Sequence, residues 1–340
     1  MARILQPKAR DPAARDQGAR ANEARAYVTL DDLLRLNHRA KGFSFLPKQP
    51  VHSLLAGRHA SRLRGRGLEF EELRHYYEGD DVRAIDWRAT ARLGEPQLRV
   101  YTEERDRPVL LLVDQRLSMF FGSRGAMKSV VAAEAAALAA WRVTSLGDRI
   151  GGLVFSENGM DEVRPHARQA AIGPLFEAII RRNGELRAED PRPSDPSLLN
   201  AALARVPRLL PHDGLLTLIT DAAGADAETV RLVTEITAHN DVLTVFVFDP
   251  LEAELPDIGR TVVADAGRQI EIDSSASGLR RGFAASFAER REAIEGFSRR
   301  RAIPVLPLST GRDTADQFRE LLGRRLARTA TPGRPMSAVR

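Results

Sequence analysis

Three stretches of this chain are apolar almost without interruption, and each closes on an aspartate. Residues 109–113 run into Asp114, 215–220 into Asp221 and 242–248 into Asp249. A strand that is apolar on both sides needs cover on both faces, which a parallel sheet held between helices supplies. The intervening sequence has helical length and character: an alanine-rich stretch at 128–143, then 169–182, a segment from about Ser197, and 226–238. Further strands are expected at 149–155, at 159–166 on an edge, and at 303–308, with a last helix at 314–326. The alternation implies an open, doubly wound, mostly parallel α/β sheet.

Two features interrupt that rhythm. Residues 261–273 read as a hairpin turning around Asp265, Ala266 and Gly267. After it, Leu279, Phe283, Phe287, Ile294 and Phe297 recur at helical spacing and predict a long amphipathic helix. Upstream, Thr29 with Asp32 three residues later has the form of a capping box for a short helix carrying Leu30, Leu33 and Leu34. The expected organisation is a disordered basic tail at 1–28, an N-terminal helix with a strand-rich accessory segment at 29–108, and the main domain at 109–326. Residues 250–275 form a hairpin insertion in that domain, and 327–340 a second basic tail.

Charge supports this division. Residues 1–50 carry ten basic and five acidic side chains, and 323–340 carry five arginines and no acid, so the central region is net acidic although the chain is +5. Basic character concentrated in tails argues against a specific nucleic-acid surface on the folded body. The absence of cysteine excludes disulfides, thiolate zinc sites and cysteine nucleophiles. No apolar run reaches the ~18 residues that span a bilayer, and no secretory leader pattern opens the chain. The expectation is a cytoplasmic protein without a transmembrane segment. No G-x-S-x-G or H-E-x-x-H motif is present.

In open α/β sheets ligands bind beyond the carboxyl ends of the strands, so Asp114, Asp221 and Asp249 are candidate site residues. Equally, aspartate at a strand-to-helix turn serves as a helix cap. The segment Asp114-Gln-Arg116-Leu-Ser118 resembles the Asp-x-Ser-x-Ser element of the metal-ion-dependent adhesion site in von Willebrand factor A-like domains. That resemblance implies a ligand set of Asp114, Ser118, Ser197 and Asp221 for Mg²⁺, a cation that favours octahedral oxygen ligands. Arg116 departs from the pattern. Its permanent charge would repel a divalent ion, or it could itself occupy the site as an internal cation, or meet a partner's carboxylate.

A second resemblance extends from Gly67 through Arg74, Gly79-Asp80-Asp81, Arg83 and Asp86-Trp87-Arg88 to Arg92. It continues through Gly147-Asp148-Arg149 and Asp249-Pro250-Leu-Glu252. With the Asp114 segment, it is similar to the bacterial "domain of unknown function 58" family, a branch of the von Willebrand factor A-like proteins. The resemblance implies a non-catalytic adaptor that works with a MoxR-type AAA+ ATPase and brings it a client protein.

Alternatives stand beside it. Residues 74–92 are dense in opposite charges, which suits a structural ion-pair network, with Ile85 and Trp87 alternating as in a half-buried strand. The same carboxylates, Asp80, Asp81 and Asp86, or the pair Asp114 and Asp221, could instead serve a metal-dependent nuclease or NTPase. Residues 122–129 miss the phosphate-binding loop pattern by Met127 alone, ahead of Lys128-Ser129.

Overall fold

The computed structural model describes residues 3–5, 25–41, 68–77, 80–103, 107–265, 268–301 and 303–328. The chain forms two units, one of residues 51–106 and one of the remainder. The larger unit opens with β1 (Arg3–Leu5) and α1 (Leu30–Arg35). The smaller contains β2 (Leu68–His75), α2 (Trp87–Leu93) and β3 (Gln97–Glu103). The larger resumes with β4 (Pro108–Asp114), α3 (Lys128–Ser145), β5 (Arg149–Ser156), β6 (Gly159–Ala167), α4 (Ile172–Gly184), α5 (Ser197–Leu203) and α6 (Val206–Leu209). Then come β7 (Leu215–Thr220), α7 (Ala227–Thr237), β8 (Asp241–Phe248), α8 (Pro250–Ala253), β9 (Arg260–Asp265) and β10 (Arg268–Asp273). The chain continues through α9 (Ser277–Arg301), β11 (Val305–Ser309) and α10 (Thr314–Arg328).

Six strands form the main sheet in the order β11-β8-β7-β4-β5-β6. All neighbours are parallel except the edge strand β6, which runs antiparallel to β5. The chain goes from β4 outward to β5 and β6, then returns to β7 on the other side of β4. The topological switch point therefore lies between β4 and β7, where a doubly wound sheet opens a crevice at its carboxyl edge.

Alternation along β4 fills two cores. Val109, Leu111 and Val113 pack with α1, α3, α4 and α10 on one face. Leu110 and Leu112 pack with α5, α6, α7 and α9 on the other. Helix α3 sits so deep that Ala132, Ala133, Ala135 and Ala136 are all inaccessible to solvent, and its small side chains let it lie close to the sheet. On the opposite face Phe287 of α9 joins Phe246 and Phe248 of β8 in an aromatic cluster with centroids 5.5–6.0 Å apart.

The expected boundaries need three corrections. Helix α1 has its Thr29–Asp32 capping box, but it belongs to the larger unit and not to an accessory segment. Leu33 and Leu36 are buried in the main core, and the Trp141 indole donates to the Leu33 carbonyl at 2.9 Å. The expected tail at 1–28 is also partly built into the fold. Arg25 bridges Ala126, Val28 is buried and donates to the Asn183 side chain, and β1 pairs antiparallel with β9. Residues 6–24, and the second tail beyond residue 328, lie outside the described residues. The hairpin of β9 and β10 forms as expected, its turn at Ala266 and Gly267 again lying outside them.

In the smaller unit, β2 and β3 form an antiparallel pair with a bulge between Phe70 and Glu72. The strand expected through Ile85 and Trp87 is the third correction. Ile85 makes a single bridge to Leu98, while Asp86 accepts hydrogen bonds from the Arg88 and Ala89 amides and starts a helix at Trp87. A capping carboxylate overrides a short alternating pattern.

Candidate functional site

The switch point brings Asp114, at the end of β4, beside Asp221, the residue after β7. Both are fully buried. The 115–127 loop descends between them and places Arg116, also fully buried, against Asp114. The Arg116 Nε and Nη2 donate to Asp114 at 3.0 and 2.7 Å, and its backbone amide donates to Asp114 Oδ1 at 3.0 Å. Thr220 Oγ1 adds a hydrogen bond to Asp114 at 2.7 Å. The remaining guanidinium nitrogen, Nη1, donates to the carbonyls of Asp195 and Ala223, and the Phe155 ring lies 5.6 Å from the guanidinium carbon.

Asp221 has a cation of its own. Lys128, the first residue of α3, donates from Nζ to Asp221 at 2.7 Å and to Glu252 at 2.8 Å. Arg116 lies 3.8 Å from the other Asp221 oxygen, which accepts from Ser118 at 3.4 Å and from the Ala223 amide at 2.9 Å. Glu252 in α8 completes the series, with Arg290 of α9 3.4 Å away. Asp114, Asp221 and Glu252 are thus interleaved with Arg116, Lys128 and Arg290, and the formal charges cancel.

The electrostatics follow. Burial alone would push the Asp221 carboxyl up, but Lys128, Arg116 and Arg290 outweigh it and hold the group well below its ordinary range. Burial would lower the Lys128 ammonium, and Asp221 with Glu252 reverses this and raises it. The Arg116 guanidinium is raised in the same way: Asp114 outweighs burial. Glu157, which accepts from the amides of Leu117 and Asp195, is raised by its burial.

Asp114, Arg116, Ser118 and Asp221 are therefore brought together as the sequence suggested, and Ser197 is not. Ser197 is exposed, and its hydroxyl donates to Asp195 at 2.7 Å within its own loop. Nor is Arg116 placed to take a carboxylate from a partner, since it is sealed from solvent and committed to Asp114 and two carbonyls. Lys128, Glu252 and Arg290 were not singled out as site residues. A signal for Lys128 exists: a lysine in the first turn of a helix opposes the helix dipole, so a buried one demands carboxylates from elsewhere.

These donors do not fit a divalent cation. Both aspartates already hold buried cations, and Mg²⁺ within 4 Å of Arg116 or Lys128 would be repelled by that cation by ~8 kcal/mol at an effective dielectric constant of 20. Among the described residues no group of three His, Cys, Asp or Glu is arranged to hold a metal. In the smaller unit the carboxylates serve separate local roles. Asp80 pairs bidentately with Arg74 at 2.8 Å, while Asp81 and Asp86 cap turns. Lys128 is likewise unavailable to a phosphate. The loop before it is folded on itself so tightly that a Cβ on Gly122 would lie 2.4 Å from the Ala126 carbonyl oxygen.

Asp249 acts as a hub of a different kind. It caps α8, accepts from the amide and hydroxyl of Ser123 at 2.7 Å, and accepts from Thr310, tying three loops together.

Fold and site together define an open, doubly wound α/β protein whose switch point is closed by internal ion pairs. The chain belongs to the family described as "Protein of unknown function DUF58", whose model matches residues 72–293. It is 32% identical over 290 residues to the uncharacterized protein Rv1480 of Mycobacterium tuberculosis, covering 82% of this chain and 86% of that protein. The uncharacterized protein Mb1516 of Mycobacterium bovis matches to the same extent. Among solved structures, the conserved hypothetical protein BatB from Bacteroides thetaiotaomicron aligns with a TM-score of 0.35 and 14% identity, covering 66% of this chain and 98% of that one. No helix among the described residues is long and apolar enough to cross a membrane.

Proposed function

We propose that the chain is a non-catalytic protein-binding module of von Willebrand factor A-like type, with the carboxyl edge of the sheet as its docking face. In this reading it is an adaptor that joins a MoxR-type AAA+ ATPase to a client protein, and it does so without metal. One observation carries the reading: Asp114, Asp221 and Glu252, the carboxylates of the buried network, are each paired with a cation of the same chain. A hydrolytic centre needs a base, a nucleophile or a metal free to change charge during reaction. Carboxylates locked into buried pairs give instead a stiff frame for the loops above them, and that is what a docking surface requires.

The test is capture of a MoxR-type AAA+ ATPase by the purified full chain, in parallel samples with Mg²⁺ and with EDTA. The reading expects the ATPase to be retained equally in both. Failure to retain it, or hydrolysis of ATP or plasmid DNA by the chain that disappears in Asp221→Asn, would overturn the proposal.

A further inference from the structure

The charges of residues 74–92 do not cancel among themselves. Asp80 is taken by Arg74, Asp81 caps the turn at Val82–Ala84, and Asp86 caps α2. Arg83, Arg88 and Arg92 are exposed, and their side chains meet no carboxylate among the described residues. Residues 82–93 thus carry three arginines against Asp86 alone. Apolar exposure gathers in the same stretch. Among the described residues ten large hydrophobic side chains are exposed, and five of them, Leu73, Tyr77, Val82, Trp87 and Leu93, fall within residues 73–93.

Helix α2 sets the two kinds of side chain next to each other. Ala89 is buried, while Trp87, Arg88, Ala91 and Arg92 are exposed. At about 3.6 residues per turn these four share one side of the helix, Trp87 beside Ala91 and Arg88 beside Arg92. Trp87 is 68% exposed. The arrangement costs stability twice, because a large aromatic surface is left in water and like charges one turn apart repel. Neither arginine recovers that cost in an ion pair, and a local rule broken without such compensation marks a functional surface.

We infer that this face of α2 is a docking site for an acidic protein segment that also carries an apolar side chain. Trp87 packs on the apolar side chain, and Arg88 and Arg92 take the carboxylates that flank it. Charge complementarity selects this occupant: each guanidinium offers a carboxylate two parallel donors. Tryptophan and arginine are also the side chains on which protein interfaces concentrate their energy. A polyphosphate chain or an anionic bilayer fits less well. Residues 51–106 hold ten basic and eleven acidic side chains, so the smaller unit as a whole does not attract a polyanion. The site lies within that unit and does not depend on the docking reading of the switch point.

The chain has two tryptophans, and Trp141 is buried with its indole donating to Leu33. In full-length protein labelled with 5-fluorotryptophan, Trp87 therefore gives one of two ¹⁹F signals and Trp141 serves as the internal control. The signals are titrated with a blocked Glu-Leu-Glu-Phe-Glu peptide, with its Gln-Leu-Gln-Phe-Gln counterpart, with oligouridine and with phosphatidylserine vesicles. The glutamate peptide is expected to shift the Trp87 signal saturably and leave Trp141 unmoved, with the glutamine peptide at least tenfold weaker. The double variant Arg88→Gln, Arg92→Gln removes two exposed, unpaired charges and should weaken the glutamate peptide about tenfold or more, the loss of charge-assisted contacts. A Trp87 signal without a solvent isotope shift in the free chain shows the face already covered and overturns the site. So does a signal that ignores the glutamate peptide, follows both peptides equally, responds to oligouridine or vesicles alone, or responds unchanged in the double variant.

Discussion

At the scale of single residues the network makes sharp demands. Arg116→Ser restores the hydroxyl of the adhesion-site pattern but leaves Asp114 buried without its cation. Removing one partner of a buried pair typically costs 3–5 kcal/mol, so denaturant melts should show a loss of about that size. Mg²⁺ should not restore it, because Lys128 still holds Asp221. Lys128→Met uncovers Asp221 and Glu252 together and should cost about as much, with no change in ATP affinity to accompany it. Gly224→Ala is expected to destabilise by more than an ordinary surface change, since φ is +78 and Pro196 blocks the new methyl. The residue-level site was half legible. Asp114 and Asp221 stand out because strand-terminal carboxylates are visible in sequence. Glu252 and Arg290 were not, because each lies 38 or more residues from its partners. Ser197 was misplaced because a hydroxyl at a helix start has a local use, here with Asp195, that sequence spacing does not reveal.

At the scale of elements, the strands were the most legible part. Runs such as 109–113 and 215–220 are apolar because both of their faces are covered, and that pattern survives without knowledge of neighbours. The exceptions have local causes. Asp86 turns an apparent strand into the start of α2, and β1 could not be foreseen because three residues carry no periodicity. Helix α1 illustrates how a short element is stabilised. At six residues it is too short to persist alone, and it depends on its cap and on Leu33 in the core. Thr29→Ala removes the cap and should cost about 1 kcal/mol. The measurement is the shift in chemical-denaturation midpoint at unchanged slope.

At the scale of the whole molecule the network sets a pH window. The Asp221 carboxyl lies below its ordinary 3.8 in the folded state, so its contribution is present above that value and is lost as pH falls further. The Lys128 ammonium lies above its ordinary 10.5, so its contribution is complete below that value and is lost as pH rises through the folded pKa. Between these limits the two groups contribute evenly. Thermal melts from pH 3 to 11 should show both limbs, and Lys128→Met should lose the alkaline one.

The central claim is that internal cations, and not a metal, complete the switch point. Isothermal titration of Mg²⁺ and Mn²⁺ into the full chain, paired with thermal melts, tests it most directly. The account predicts no saturable heat and no change in melting temperature with either ion. Saturable binding that raises the melting temperature and is abolished by Asp221→Asn would contradict it.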